Sequence, residues 1–325
     1  RNIILKLNIP YLTSWTANDL FNHIEKLYAG HAGTYGSRVG NLMLQSADFV
    51  LTLGTRLAIP QKGYLDEELA REAKIFVVDI DKQELDKLGA RFNNKFQYDA
   101  KLFLKTVSEN SKDIKKNFDY WENHLNKLKK IYPNLENCHR KNNSGEFINS
   151  YSFISKLGSM APSNTTFVTD MGTALISGFQ ILDPKYGQKL FTSQGLGEMG
   201  YGLPGAIGAW FADKKREIIC LNCDGGLMMN LQDLQTVIHN KIPLKIIIFN
   251  NDGYLMIKHT QDSILEGRRA GTDKKSGLSC PSYKKIASAF GFNYLSIKNK
   301  KNTDNIISEF YTSQGPTFLE VFMPI

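Results

Sequence analysis

The segment that decides the fold is Glu217–Gln261, which reads EIICLNCDGGLMMNLQDLQTVIHNKIPLKIIIFNNDGYLMIKHTQ. Two short apolar runs, Ile218–Leu221 and Leu244–Phe249, end in small polar residues, and the amphipathic segment Asn230–Asn240 lies between them. Short apolar runs that stop at glycine or asparagine are typical of buried strands, whereas a periodic segment is typical of a helix. The segment therefore predicts a right-handed βαβ unit whose two parallel strands are neighbours.

A Cys-Asp-Gly-Gly cluster follows the first predicted strand, and an Asn-Asn-Asp-Gly cluster follows the second. The carboxyl ends of parallel strands share one sheet edge, where open α/β sheets bind their ligands. Because neighbouring strands lie roughly 4.8 Å apart, the Asp224 carboxylate and the Asn251 amide oxygen can meet on one cation. Such a site suits Mg²⁺ completed by phosphate oxygens, and the N–H groups of Gly225 and Gly226 suit an anion. These residues predict a magnesium-bound diphosphate, with ordinary strand-end turns as the alternative.

The rest of the chain continues the alternation of strands and helices, which predicts an α/β fold of two Rossmann-like, doubly wound parallel-sheet domains. Residues 1–131 are interpreted as a first domain that lacks its first strand, 132–146 as a polar linker and 147–325 as a six-stranded domain with the predicted diphosphate site. The stretch His31–Asn41 is glycine-rich but has no GxGxxG motif, so cofactor binding and a structural role both remain open there. Since the opening residues resemble the end of a helix that runs into a strand, we expect the sequence to begin inside a longer protein.

Composition and charge are typical of a soluble globular protein. The chain has 325 residues, of which 42% are hydrophobic, and a formal net charge of +8. Its basic clusters at 127–130, 214–216 and 298–301 are not interleaved with aromatic residues, which argues against a nucleic-acid partner. The absence of a signal-peptide pattern and of apolar runs near about 18 residues argues against a membrane segment. The four scattered cysteines favour a reducing cytoplasm.

Several ordered motifs together resemble one enzyme family. The pair Asp224-Gly225 followed by Asn250-Asn251 is similar to the thiamine-diphosphate signature of the acetolactate synthase and pyruvate decarboxylase superfamily. The upstream glycine loop, 197–204, resembles that family's loop, and the first domain carries similar motifs at 53–56 and 78–81. The resemblance covers the whole chain, and it implies a central domain followed by a diphosphate-binding domain.

The resemblance implies roles for the residues that match the family's motifs. Mg²⁺ would be bound by the side chains of Asp224 and Asn251 and by the carbonyl of Gly253. The Gly197 carbonyl would accept a hydrogen bond from the cofactor's 4′-amino group, and Met199 would be the apolar wedge that bends the cofactor, with a core methionine as the alternative. The implied cofactor-binding residues are Gly172, Thr173, Gly197, Met199, Asp224, Gly225, Gly226, Asn251, Gly253, Tyr254 and Leu255.

Three departures from the family's pattern limit these implications. Cys223 stands where the signature begins with glycine, a change expected to leave Asp224 in place as a ligand. Thr260 stands where the family's acetohydroxyacid synthases carry a tryptophan that shapes substrate choice, and the neighbouring His259 is either a substrate-pocket acid or base or a surface residue. The family's glutamate that activates the aminopyrimidine ring lies on a separate N-terminal domain. No catalytic residue is therefore expected in this chain, and the chain alone is expected to be inactive.

The function implied by the resemblance is thiamine diphosphate- and Mg²⁺-dependent decarboxylation of a 2-oxo acid, with pyruvate favoured, followed by carboligation as in acetolactate synthases. Two alternatives remain: a simple 2-oxo acid decarboxylase and a non-catalytic nucleotide- or diphosphate-binding module. The implied partners are a pyrimidine-binding domain, in the full-length chain or a partner subunit, and further copies of the chain in a homodimer or tetramer. The acceptor substrate is left open, as is FAD binding by the central domain.

Overall fold

The computed structural model describes residues 1–111, 118–136 and 147–323. The chain divides into two compact units, Arg1–Asn134 and Leu135–Ile325. Each unit combines helices with parallel sheets, so the predicted α/β fold class, with two Rossmann-like domains, is confirmed. Most of the predicted linker, residues 137–146, lies outside the described residues.

The first unit contains one parallel sheet of two strands and one of three in its described residues. The strands are β1 (Tyr11–Thr13), β2 (Tyr28–His31), β3 (Phe49–Leu53), β4 (Lys74–Asp79) and β5 (Asn94–Gln97). The helices are α1 (Asn2–Leu7), α2 (Arg38–Gln45), α3 (Ile59–Lys62), α4 (Lys82–Asp86), α5 (Ala100–Asn110) and α6 (Asp119–Ile131). β1 pairs with β2, and β4 lies between β3 and β5 with Ile75 and Val77 in the core.

The second unit is built on a parallel sheet that has six strands in the described residues, as the sequence predicted. The strands are β6 (Thr165–Thr169), β7 (Lys189–Phe191), β8 (Glu217–Cys223), β9 (Lys245–Asn250), β10 (Asn293–Ile297) and β11 (Thr317–Phe322). The helices are α7 (Ser150–Met160), α8 (Thr173–Ile181), α9 (Gly202–Ala212), α10 (Asp224–Leu227), α11 (Leu234–His239), α12 (Leu255–Ile264), α13 (Tyr283–Phe290) and α14 (Thr303–Thr312). The order of the strands in the sheet is β10-β11-β9-β8-β6-β7.

The central strands of this sheet are covered on both faces. In β9, the four residues from Ile246 to Phe249 are fully buried, which explains why the strand reads as an unbroken apolar run rather than an alternating one. Ile246 and Ile248 belong to a core cluster that also contains Leu234 of α11 and Tyr283 of α13. The sheet therefore holds its strand ends in fixed positions. No helix in the described ranges is both long and apolar enough to cross a membrane.

The opening segment forms the predicted pair of neighbouring strands, because β8 and β9 are parallel and adjacent. The helix expected at Asn230–Asn240 is wrong in extent. Helical backbone begins with α10 directly after β8, continues as the 3-10 turn Met228–Asp233 with a kink at Asn230, and ends as α11. Gly225 and Gly226 allow this early turn because they have no side chain, which lets the turn pack closely against Tyr254 and Asp170.

Candidate functional site

Three neighbouring strands of the second unit end at the same edge of the sheet. Asp170 follows β6, Asp224 follows β8 and Asn251 follows β9. The strand order reverses between β6 and β8, because the chain runs outward from β6 to β7 and then returns to the other side of β6. In open α/β sheets such a reversal leaves a ligand-binding crevice at the carboxyl ends of the strands. The topology therefore groups these three polar residues at the position where such folds bind ligands.

Asp224 is buried at this edge, where backbone donors hold its carboxylate. Oδ1 accepts the Gly225 N–H at 2.8 Å, and Oδ2 accepts the N–H groups of Asn251 at 3.0 Å and Gly253 at 3.1 Å. Burial raises the pKa of Asp224 from 3.8 to about 6, and the hydrogen bonds from the backbone act in the opposite direction. A buried carboxylate whose charge is only partly offset by hydrogen bonds is well suited to a cation.

The Asn251 side chain carries an unsatisfied oxygen. The residue is 2% exposed, and its Oδ1 has no hydrogen-bond partner among the residues that the structure describes. An unpaired buried acceptor costs about 1–3 kcal/mol, so such an atom in a native protein calls for a ligand, an ion or a water molecule. The backbone N–H of Asn251 ties this residue to the Asp224 carboxylate. The two side chains together fit a hard cation such as Mg²⁺.

Gly253, the third expected metal ligand, has a backbone conformation that requires glycine. Its φ is +138°, and a Cβ atom would lie 2.3 Å from the Thr272 carbonyl oxygen. The preceding Asp252 is left-handed, with φ +57°, and donates its N–H to Asn250 Oδ1 at 3.1 Å. The Gly253 carbonyl accepts the Leu255 N–H at 3.2 Å, which leaves a second lone pair for a cation. The loop is therefore held in one shape by contacts at both of its ends.

No cluster of three or more His, Cys, Asp or Glu side chains suited to a metal occurs in the described ranges. A metal at this edge would therefore depend on one carboxylate with amide and carbonyl oxygens. That donor set is weak by itself for a divalent cation, and it suits a metal whose coordination is completed by phosphate oxygens and water.

The two glycines of the Asp-Gly-Gly turn allow close contact between segments of the protein itself. A Cβ atom on Gly225 would lie 2.1 Å from the ring of Tyr254, and one on Gly226 would lie 2.2 Å from Asp170 Oδ2. Both distances are shorter than any real Cβ contact, so a side chain at either position would displace its neighbour. The glycines thus have a packing role in addition to any contact with a diphosphate.

Asp170 is a buried acid that the sequence analysis did not include among the site residues. Its carboxylate accepts the N–H of Met171 at 2.7 Å and the N–H of Gly200 at 3.0 Å. Gly200 lies in the glycine loop with φ +90°, and a Cβ atom there would lie 2.4 Å from Asn230 Oδ1. Asp170 therefore connects the end of β6 to the glycine loop and to the Asp-Gly-Gly turn. The available signal was an acid directly after a buried strand, the same signal that identified Asp224.

The other predicted cofactor residues lie nearer the surface of this edge. Gly172, with φ +80°, precedes α8, which begins at the half-buried Thr173. Gly197 is exposed and Met199 is half-buried, and the bond from the next residue, Gly200, connects their loop to Asp170. The structure therefore brings five of the predicted residues into direct contact: Asp224, Gly225, Asn251, Gly253 and Tyr254. Among the described contacts, none joins Gly197 or Met199 to this group.

Thr260, which stands where the family's acetohydroxyacid synthases carry a tryptophan, and the neighbouring His259 lie on α12. His259 and Thr260 are both exposed, and the Thr260 hydroxyl donates to the Met256 carbonyl of its own helix at 3.1 Å. Neither side chain belongs to the buried cluster around Asp224.

Comparison with known proteins identifies the family. Residues 1–107 match the family described as "Thiamine pyrophosphate enzyme, central domain", and residues 170–321 match "Thiamine pyrophosphate enzyme, C-terminal TPP binding domain". The chain belongs to the thiamine pyrophosphate enzymes. The three strand ends, the glycine loop and the Asn251–Gly253 loop all lie within the C-terminal match, so the motif-based resemblance is confirmed.

Relatives of this chain include acetolactate synthase large subunits from several organisms. It is 30% identical to "Acetolactate synthase large subunit" of Cyanidium caldarium, over 97% of this chain and 53% of that protein. It is 28% identical to "Acetolactate synthase isozyme 2 large subunit" of Escherichia coli (strain K12), over 90% of this chain and 51% of that protein. It is also 28% identical to "Probable acetolactate synthase large subunit" of Methanococcus aeolicus, over 97% and 53%. The chain thus spans about half the length of the curated relatives it matches.

Cys223 occupies the first position of the thiamine pyrophosphate signature without strain. Its φ of −109° and ψ of 160° are those of extended backbone, which does not require glycine. The thiol donates to the Met171 carbonyl at 3.4 Å and accepts the Ala174 N–H at 3.5 Å. In this member of the family the cysteine therefore packs the end of β8 against the turn that leads into α8.

Replacing Cys223 with glycine, the residue expected in the signature, should destabilise the protein by about 1–2 kcal/mol. The variant loses the thiol contacts, and its unfolded chain gains conformational entropy. Cys223→Ala loses only the contacts, so its stability in a denaturant titration should lie between those of wild type and Cys223→Gly. Cofactor retention should be unchanged in both variants. A Cys223→Gly protein more stable than wild type would contradict this account of the thiol.

Asp170 should make the stability of the protein measurably dependent on pH. Burial raises its pKa from 3.8 to about 6, against the hydrogen bonds from Met171 and Gly200. The folded state therefore binds a proton at a higher pH than the unfolded state does, so this group's contribution to stability increases as pH falls through about 6 towards 4. Asp170→Asn lacks that gain. We therefore compare the free energy of unfolding of the variant minus that of wild type at two pH values. This difference should be about 1–2 kcal/mol larger at pH 8 than at pH 5.

Denaturant titrations of the metal-free protein at the two pH values measure this difference. The matched control is Asp213→Asn, because Asp213 is exposed after α9 and its carboxylate accepts the local N–H of Lys215. The same difference in both variants would show that Asp170 is not the source of the pH dependence.

Proposed function

We propose that the protein containing this chain is a thiamine diphosphate- and Mg²⁺-dependent enzyme that decarboxylates a 2-oxo acid and joins the remaining unit to a second carbonyl compound. The relatives named acetolactate synthase favour pyruvate as the 2-oxo acid. The observation that carries the proposal is the buried Asn251 amide oxygen, unpaired within the described part of the chain and tied through its backbone to the Asp224 carboxylate. Both residues lie in the match to a TPP binding domain.

The residues present fit the metal and the diphosphate. Mg²⁺ would be held by the Asp224 carboxylate, the Asn251 amide oxygen and the Gly253 carbonyl, each of which has an unused lone pair. The diphosphate would lie against the N–H groups of Gly225 and Gly226 and against the turn formed by Gly172 and Thr173, which opens helix α8. This assignment agrees with the weak, incomplete donor set that the protein itself provides.

The remaining assigned residues would position the cofactor. Tyr254 and Leu255 follow the Asn251–Gly253 loop. The Tyr254 ring lies against Gly225, a contact that would hold the start of α12 beside a bound diphosphate. The Gly197 carbonyl would accept a hydrogen bond from the cofactor's amino group, and Met199 would support its bent conformation. When bound, thiamine diphosphate supplies the electron sink for decarboxylation and carbon–carbon bond formation. The chain's own contribution is to bind, orient and desolvate it.

We also propose that a pyrimidine-binding domain supplies the activating glutamate and that the active site forms between subunits of a homodimer or tetramer. The half-length coverage of the acetolactate synthase relatives supports the further domain, and the resemblance to the family supports the subunit assembly. The chain by itself is then expected to bind the cofactor poorly and to show no turnover.

The test uses the intact gene product loaded with thiamine diphosphate and Mg²⁺ and supplied with pyruvate. Acetolactate or a mixed acyloin among the products supports the proposal. Acetaldehyde alone would identify a simple decarboxylase, and the lack of any cofactor-dependent release of CO₂ would leave only a diphosphate-binding module. An absorption spectrum of the same preparation shows whether flavin bands, and hence FAD, are present.

A further inference from the structure

Lys258 on α12 is a buried charge that the proposed function does not use. It is 3% exposed, and its Nζ has no hydrogen-bond partner among the described residues. Lys245, also buried, shows the usual arrangement, because its ammonium group donates to acceptors on Ser313, Gly315 and Thr317. A buried ammonium group without a counter-charge is strongly unfavourable. The comparison between the two lysines indicates that something outside the described chain completes the surroundings of Lys258.

Helix geometry places Lys258 beside the candidate metal site. Its backbone N–H donates to the Tyr254 carbonyl at 2.9 Å, so Lys258 lies one turn after Tyr254, the residue that directly precedes α12. Side chains on a helix point back toward its N-terminus, which directs Lys258 toward Tyr254 and the Gly225 backbone under that ring. Gln261, one turn further along, accepts the Thr272 hydroxyl at 3.1 Å. Lys258 also interacts electrostatically with Cys280, which interacts in turn with Asp224, so the ammonium group lies near these side chains.

The described acidic groups on these elements have other partners. Asp273 interacts electrostatically with Lys258, but its carboxylate accepts the Ser276 N–H at 3.0 Å and Arg269 Nη1 at 3.2 Å. Asp252 lies 3.7 Å from Lys274. The Asp224 carboxylate accepts backbone N–H groups on both of its oxygens. None of them is a hydrogen-bonded partner of Lys258 Nζ.

We propose that Lys258 Nζ is the cationic element of an anion subsite next to the Asp224–Asn251 metal site. The bound group is a phosphate or carboxylate, whose oxygens accept charge-assisted hydrogen bonds from an ammonium group. Its source is either the diphosphate of the cofactor or the acid group of a substrate, and this choice of sources rests on the proposed function. Lys258 would thereby contribute to affinity or to substrate choice without taking part in bond making.

The experiment compares Lys258→Met in the intact protein with Lys275→Met, a matched control at an exposed lysine of the neighbouring segment. Without metal or ligand, Lys258→Met should raise the melting temperature by about 2–5 °C, because it removes a buried charge that has no hydrogen-bonded counter-charge among the described residues. Titration calorimetry with inorganic pyrophosphate plus Mg²⁺, and separately with pyruvate, should show about 10- to 100-fold weaker binding of at least one anion. Lys275→Met should change neither quantity.

The outcomes separate the two sources and the two proposals. Weaker pyrophosphate binding identifies the cofactor diphosphate, and weaker pyruvate binding with unchanged pyrophosphate binding identifies the substrate acid. Unchanged binding of both anions by Lys258→Met overturns the subsite, whatever the change in melting temperature. A wild-type protein that binds neither anion also overturns it. A failure of the proposed function would be seen separately, as a wild-type protein that binds pyrophosphate but not thiamine diphosphate.

Discussion

Replacing Asp224 with asparagine in the intact protein should abolish Mg²⁺-dependent retention of thiamine diphosphate while the protein stays folded. The substitution keeps the shape of the side chain and removes the charge from the expected ligand set, leaving the neutral oxygens of Asn251 and Gly253. Hard divalent cations depend on carboxylate charge, so we expect at least about 100-fold weaker binding of the Mg²⁺–cofactor pair.

The stability of the same variant separates loss of a ligand from loss of the fold. Burial raises the pKa of Asp224 to about 6, so at pH 8 the metal-free protein holds an ionised carboxylate at a cost that asparagine does not have. The amide NH₂ group of asparagine replaces one carboxylate oxygen and loses one backbone donor, such as Gly225, which offsets part of that gain. The melting temperature at pH 8 should therefore stay within about 3 °C of wild type. Asp224→Ala, which leaves all three backbone N–H groups without an acceptor, should be clearly less stable.

Cofactor content after gel filtration in Mg²⁺, with and without a chelator, measures the effect. The matched control is Asp252→Asn, because Asp252 lies in the same loop with a side chain that is 38% exposed and paired only loosely with Lys274. Asparagine also tolerates the left-handed backbone found there. Wild-type cofactor content in Asp224→Asn would rule out the ligand role of Asp224.

The parts of the site that were predictable from sequence are those with a local signal. β8 and β9 are buried on both faces, so each reads as an apolar run that stops at polar residues, and the parallel arrangement then places Asp224 and Asn251 at one edge. The order and spacing of the motifs then allowed the enzyme family and its cofactor to be predicted. The extent of the helical segment after Asp224 was not predictable in the same way, because it depends on how closely the glycine pair packs against Tyr254 and Asp170.

Asp170 and Lys258 show what remains outside such reasoning. The partner of Asp170 is Gly200, 30 residues later in the chain, and nothing in the local pattern specifies that contact. Lys258 lies in a polar segment of α12, where a lysine is ordinarily a surface residue. Its burial comes from other segments that pack against the helix and is not specified by the helix sequence itself. Both residues depend on tertiary packing, and their importance could be found only from the structure.

Replacing Gly253 with alanine should be the most disruptive single-methyl change in the site. A Cβ atom would lie 2.3 Å from the Thr272 carbonyl oxygen, a backbone atom that cannot move away by rotating a side chain. The φ of +138° adds conformational strain for any residue other than glycine. Together these effects should cost about 2–4 kcal/mol. The shifted loop should also lose the Gly253 N–H bond to Asp224, and with it most of the Mg²⁺-dependent cofactor retention.

Gly267→Ala separates the clash from the strain. Gly267 also has a positive φ, +76°, but a Cβ atom there would meet nothing within 4 Å. That variant should lose about 1 kcal/mol and keep its cofactor. Denaturant titration gives the two stabilities, and gel filtration in Mg²⁺ gives the two cofactor contents. Equal stabilities with cofactor retained in both would mean that the loop tolerates a side chain at Gly253. The close approach to Thr272 would then not be what holds the Gly253 N–H on the Asp224 carboxylate.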